Sequence, residues 1–315
     1  MRNFSQNPPY FQLTLFSDYG RLRYLFFILC LLIYLTIISA NMVILVTIIL
    51  EKSLHQPMYI FICCLSVNSL YGSTGLFPRF LYDLLSDTHF ISRPSCFTQL
   101  YVIYTYVSCE FTILGVMAYD RFVAICQPLH YHTKMSVRKV VCLWTAAVVY
   151  PIFAIGHCLS QTVELPLCGN KLPAVFCINW RVVANSCVDT TSNDIVGRFV
   201  TVTTVIIPPL FVLYSYMRIL IVCKRGSAEV RGKALQTCVP HMVTFVTYSC
   251  SVFIELTLVR LDTNKINPII TAVLSMEYLM VPSINNPLIY GLKLPLIRAA
   301  IAKRVKIKLL SRTNV

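Results

Sequence analysis

The chain is 315 residues long, 57% of them hydrophobic and only 13% charged, with a net charge of +14. Soluble domains run near 25% charged, so this composition excludes a water-soluble globular protein and points to a membrane protein. The apolar residues come in long runs without period-two alternation, which argues against a transmembrane β-barrel.

Seven apolar stretches are each long enough to cross the ~30 Å hydrocarbon layer as a helix. They are Tyr24–Leu50, Met58–Leu85, Thr98–Ile125, Val140–Leu159, Ile195–Val222, Gln236–Leu258 and Ile269–Tyr290. The second carries Arg79 and Asp83, so its outer end is the least sharply marked. The expected fold is an all-α membrane protein, a seven-transmembrane helix bundle with a short amphipathic C-terminal helix. Residues 1–23 then form an N-terminal tail, 24–291 the helical domain and 292–315 the final helix and tail.

Charge orients the bundle. The segments on the Arg121 side, Glu51–Pro57, Asp120–Lys139, Arg218–Lys233 and Lys293–Val315, hold 17 Lys or Arg against three acids. The opposite side holds the other ten Lys or Arg against seven acids. The basic side is therefore expected in the cytoplasm and the N-terminus outside. These basic residues flank spans instead of forming one patch, so no nucleic-acid partner is expected. No cleavable leader is visible, and the first span is expected to act as an uncleaved signal-anchor. Asn3-Phe4-Ser5 is an N-glycosylation acceptor on the outer side.

In chain order, Asn41 sits inside the first span, where an amide needs a partner. Leu54-His55-Gln56-Pro57-Met58-Tyr59-Ile60-Phe61 opens the second, with proline at a first helical position. In the third, Glu110 lies 11 residues before Arg121, about 16 Å deeper along a helix. A carboxyl at that depth is functional by default. The third span ends in Met117-Ala118-Tyr119-Asp120-Arg121-Phe122-Val123-Ala124-Ile125-Cys126, and an ionic pair there is costly unless it serves at the membrane edge. Pro208 and Ser215-Tyr216-Met217-Arg218-Ile219 mark the fifth span; Lys233-Ala234-Leu235-Gln236-Thr237-Cys238-Val239-Pro240-His241 opens the sixth, where Pro240 should bend the first turns. The seventh holds Asn286-Pro287-Leu288-Ile289-Tyr290; its proline frees a backbone carbonyl that Asn286 is expected to satisfy. Beyond it, Leu294, Ile297, Ile301 and Val305 alternate with Arg298, Lys303, Arg304 and Lys306, as in an interfacial helix lying on anionic lipid.

Fourteen cysteines sort by side: four, Cys96, Cys168, Cys177 and Cys187, fall outside, and the rest read as small buried apolar residues. An even number in an oxidising compartment suggests two disulfides, with three connectivities open. No CxxC pairs with a His cluster, so no metal is expected. There is no P-loop, no GxSxG and no carboxylate pair in a polar segment, so neither an enzyme nor a cofactor is expected.

The strings LHQPMYIF, MAYDRFVAIC with QPLHY after it, SYMRI, KALQTCVPH and NPLIY together resemble the signatures of odorant receptors, a branch of the rhodopsin-like G-protein-coupled receptors. SVNSLYGSTG and NPLIYGLK look more like the fish members. The resemblance covers nearly the whole chain. It implies an odorant-binding receptor of the plasma membrane that acts through a heterotrimeric G protein of the olfactory stimulatory type and raises cyclic AMP. It pairs Cys96 with Cys177 and Cys168 with Cys187, and it assigns Asp120 to holding Arg121 shut at rest. Tyr216, His241, Asn286, Pro287 and Tyr290 complete the activation switch. Asn41, Ser69 and Glu110 join Asn286 in a polar core that repacks on activation. Several positions depart from the family pattern: Ala40 replaces a glycine, Ser69 replaces the aspartate that binds sodium in many rhodopsin-like receptors, and Phe122 replaces a tyrosine.

By the same resemblance the odorant lies among Ile103, Tyr104, Val107, Ser108, Thr201, Thr204, Val252, Phe253, Leu256 and Met276. Glu255 and Arg260 either recognise a charged ligand or are solvated rim charges. Ile103 stands where amine receptors keep an aspartate, so a biogenic amine is not expected, and the seventh span has no lysine for a retinal Schiff base. A non-olfactory receptor for a small metabolite would share every one of these features. A transporter would more often show inverted repeats, and none is visible.

Overall fold

A computed structural model describes residues 7–16, 20, 22–258 and 267–313. Seven long helices follow in chain order: α1 (Leu22–Leu50), α2 (Pro57–Leu85), α3 (Arg93–Cys126), α4 (Val137–Glu164), α5 (Thr191–Arg225), α6 (Ala228–Leu258) and α7 (Pro268–Lys293). An eighth, α8 (Pro295–Thr313), comes after them. The first six are long and apolar enough to cross a membrane. α7 has the length, 26 residues or about 39 Å, but carries Glu277, Asn285 and Asn286. Asn3 and Arg260 lie outside the described residues.

The helices overrun the apolar windows that announce them. Hydropathy marks only what hydrocarbon covers, whereas the end of a helix is set by its caps. α3 begins at Arg93 because the Ser92 hydroxyl accepts from the Ser95 amide and Pro94 suits a first turn. Asn267 caps α7, its Oδ1 accepting from the Ile269 amide at 2.9 Å. Burial then ranks the helices: 67% of the most apolar stretch of α3 is buried but only 17% of that of α1. α3 is therefore the central rod, and α1 presents most of its side chains to lipid.

Glycines let α2 approach α3. A Cβ on Gly72 would lie 2.4 Å from the Tyr106 ring, and one on Gly75 2.7 Å from Val102. The same close approach lets Gln99 of α3 donate to the Gly75 carbonyl at 2.9 Å. In α5 the ladder widens into a π-helical turn over Val202–Ile206. Pro208 and Pro209 follow directly and lack the N–H groups that would bond four residues back, so the α-ladder is interrupted there.

On the outer side a three-stranded sheet caps the bundle. β1 (Tyr10–Leu13) lies between β2 (Phe90–Ser92), antiparallel, and β3 (Lys171–Leu172), parallel. Phe11, Leu13, Ile91 and Leu172 are buried beneath it in one apolar cluster. The period-two signal of this tail spans only four residues, too few to mark a strand in the sequence. Disulfides join Cys96 to Cys177 and Cys168 to Cys187, with Cα separations of 5.6 and 5.4 Å. The charges that blur the end of α2 form a bidentate pair: Arg79 donates to Asp83 at 2.8 and 2.7 Å, and also to the Phe90 carbonyl of β2 at 2.7 Å.

Gly72→Ala should therefore cost about 1–3 kcal/mol through overpacking against Tyr106. The expected result is a clear loss of surface receptor and of thermal stability in detergent. Gly232→Ala, which meets nothing within 4 Å, should lose neither. Equal behaviour of the two variants would show that the α2–α3 approach is not tight.

Candidate functional site

The outer halves of α3, α5, α6 and α7 enclose a cavity of about 750 Å³, with α4 and the segment after β3 as its remaining walls. Eight of the ten expected residues line it: Ile103, Tyr104, Val107, Ser108, Thr201, Thr204, Val252 and Leu256. Phe253 does not; it is 49% exposed on the outer surface of the bundle. Val252 and Leu256 are four residues apart and share a helix face, while Phe253 is turned 100° away. Met276 does not line the cavity either. It is buried in the helix core, and Tyr278, two residues on, takes the place on the wall.

Sequence reasoning also missed Phe176, Ile178, Asn179, Trp180 and Val183. The signal was the cysteine they flank, because the Cys96–Cys177 bond draws this segment over the cavity. Gln99 Oε1 accepts from the Cys177 amide at 2.9 Å, and the Tyr104 hydroxyl accepts from the Asn179 amide at 3.2 Å. Ser108 donates to Thr204 Oγ1 at 3.2 Å, bridging α3 to the π-helical turn of α5. Glu255 is not a solvated rim charge: it is 8% exposed and faces the cavity.

The cavity floor touches a second layer. The Tyr248 hydroxyl donates to the Val107 carbonyl at 3.0 Å, and its ring packs on Phe111 at 4.5 Å between centroids. Below it, Glu110 is fully buried and accepts from Asn68 Nδ2 at 2.7 Å and Asn286 Nδ2 at 2.6 Å. The partner from α2 is thus Asn68 and not Ser69, whose buried hydroxyl makes no hydrogen bond with the described residues. Neighbouring residues on a helix point 100° apart, so only one of the two can face α3. Asn41 donates to the Ser283 carbonyl at 2.8 Å. That is the carbonyl Pro287 leaves without its helical donor, so Asn41 fills the role expected of Asn286. Asn286 is thereby left to serve Glu110.

At the end of the bundle away from the cavity, Asp120 binds Arg121 through Nε at 2.9 Å and through a closer contact to Nη2. Tyr131 donates to the other Asp120 oxygen at 2.9 Å. This contact comes from the turn after α3, and sequence spacing alone does not reveal it. Only 14% of the Arg121 side chain is exposed. The Tyr216 hydroxyl lies 2.6 Å from His241 Nδ1, joining α5 to α6 beside this lock. Tyr290 is fully buried, and among the described residues its hydroxyl makes no hydrogen bond of good geometry. The arrangement is a polar column with the cavity at one end and a held arginine at the other.

This fold is that of the seven-helix receptors. Squid rhodopsin superposes with a TM-score of 0.71 over 98% of this chain and 89% of its own, at 16% identity. A sequence profile of the olfactory receptor family matches residues 29–308. Human olfactory receptor 2AT4 is 36% identical over 285 residues, covering 88% of this chain and 86% of that protein. Human olfactory receptor 10R2 is 34% identical over 296 residues (93% and 87%), and mouse olfactory receptor 5AR1 is 35% identical over 295 residues (90% and 92%). The chain belongs to the olfactory receptor family. It is a multi-pass membrane receptor that answers odorants through a G protein, and not an enzyme.

Tyr131→Phe removes one donor from the buried Asp120 carboxylate and should shift the closed arrangement by about 1–2 kcal/mol, a factor of ~5–30. Ligand-free nucleotide exchange on a G protein, measured in membranes, should rise accordingly. An unchanged basal rate at equal receptor density would remove Tyr131 from the lock.

Proposed function

We propose that a small odorant occupies the 750 Å³ cavity and, by repacking its floor, shifts the equilibrium toward a state with Arg121 free and α6 swung outward. The supporting observation is the contact between the floor and the switch: Val107 lines the cavity, and its carbonyl holds Tyr248 of α6. An odorant that displaces Val107 changes that bond directly. Tyr216 and His241 then exchange their mutual hydrogen bond for contacts with the freed Arg121, and Tyr290 turns toward them. Glu110, Asn286 and Asn41 rearrange as one polar unit, because none can lose its partner in a dry interior without finding another.

In this reading the receptor lies in the plasma membrane with residues 1–23 outside and Asn3 as a glycan acceptor, residues 24–291 as the signalling bundle, and residues 292–315 on the inner leaflet. The basic side of the bundle meets anionic lipid and the G protein. The coupling partner is the olfactory stimulatory type, and the second messenger is cyclic AMP.

The test is cyclic AMP in cells bearing the receptor, against water-soluble and volatile odorants, with Arg121→Ala alongside. At least one odorant should raise cyclic AMP in the wild type and none in the variant. Silence across the panel at verified surface expression would overturn the stimulatory coupling. Glu110→Gln turns one acceptor oxygen into a donor facing an amide donor, at a cost of about 1–3 kcal/mol. It should reach the surface yet lose most of its maximal response; a normal response would show that the polar core does not repack.

A further inference from the structure

The cavity is lined mainly by apolar and aromatic side chains and carries three charged ones, Asp194, Arg198 and Glu255. Asp194 and Arg198 face each other at 3.9 Å. Among the described residues Glu255 forms no ion pair within 4.0 Å, and its buried Oε2 accepts no hydrogen bond. Its polar neighbours are the Ser275 hydroxyl and, further off, the Arg181 guanidinium. Aromatic rings stand close by. Tyr104, Phe176 and Tyr278 line the same cavity as Glu255, and Phe176 packs on Tyr278 with centroids 6.4 Å apart.

We propose that Glu255 is the ligand-selecting anchor of the cavity and receives a primary ammonium group carried on a small apolar body. This rests on the reading of the cavity as the odorant site. A buried acceptor left unpaired is costly and is relieved by a donor. A cation is favoured over a neutral donor for two reasons. The carboxylate gives a charge-assisted bond in a site of low dielectric, and the faces of Tyr104, Tyr278 and Phe176 attract a cation as well. The remaining lining is mostly apolar, with a few hydroxyls and amides such as Ser108, Thr204 and Asn193, and suits a hydrocarbon body. An acidic odorant would place like charges together. The absence of an aspartate at Ile103 excludes only the third-helix geometry for an amine; here the anion is supplied by α6.

The test compares head groups on one skeleton: hexylamine, hexan-1-ol, hexanal and hexanoic acid, with the matching benzyl set, on wild type, Glu255→Gln and Glu255→Asp at matched surface levels. The wild type should answer an amine at a half-maximal concentration about tenfold or more below its alcohol. Glu255→Gln should abolish that preference, and Glu255→Asp, which keeps the charge one methylene short, should retain part of it. Should Glu255→Gln not reach the surface, the Glu255→Asp shift decides. The proposal is overturned if alcohol, aldehyde or acid is preferred, if the amine preference survives in Glu255→Gln, or if no member of either set acts while other odorants do. A receptor that answers no odorant at all would instead remove the reading of the cavity, and this proposal with it.

Discussion

Glu110 is fully buried in the middle of the bundle and holds Asn68 of α2 and Asn286 of α7 on its two oxygens. In hydrocarbon no water is at hand for such a group, so the helices must bring donors to it. That requirement fixes the rotation of α2 and α7 about their axes relative to α3. The network continues outward from it. Asn68 also donates to the Tyr106 carbonyl, the Tyr106 hydroxyl meets Ser283, and the Ser283 carbonyl takes the Asn41 amide. Four helices are thus registered by one chain of obligatory hydrogen bonds, and the cavity above and the arginine lock below inherit their positions from it.

The two ends of this column differ in how firmly they are built. The cavity end is held by two disulfides, a sheet and the Arg79–Asp83 pair, which brace the cavity wall. At the Arg121 end α5 and α6 meet through an apolar cluster of Val212, Ile219, Cys223, Ala234, Cys238 and Phe245, with the Tyr216–His241 contact among them. Dispersion contacts of that kind can be exchanged for another packing at small net cost, whereas a broken disulfide or an orphaned carboxyl cannot. A rigid outer half and a repackable inner half are what a transmembrane switch requires.

Much of the site was legible where chemistry alone compels a role. A carboxyl 16 Å inside a span, an Asp-Arg pair at its end and a proline beside an asparagine stand out because lipid penalises them. What escaped was decided by rotation and by distance in space. Asn68 and Ser69 are equally plausible in sequence, and only helix phase decides which one meets Glu110. Phe253 and Met276 are as apolar as their neighbours that line the cavity, so composition could not exclude them. Tyr131 reaches Asp120 because the turn after α3 folds back, and Asn41 reaches the Ser283 carbonyl, which Pro287 leaves free, across 242 residues.

The sequence by itself therefore determined the class of the protein. Long apolar runs, charge asymmetry and fixed-spacing strings are local properties, set by transfer free energy and helix geometry. The tertiary structure alone decided which side chains share a partner, which face the cavity and which face lipid. It also closed the tail strand over one end of the bundle and left Glu255 buried at the cavity, its Oε2 without a hydrogen bond among the described residues. Those outcomes depend on how seven helices are turned about their axes, and an apolar pattern shared by core and lipid-facing surfaces does not encode that turn, because in a membrane both sides of a helix meet hydrocarbon.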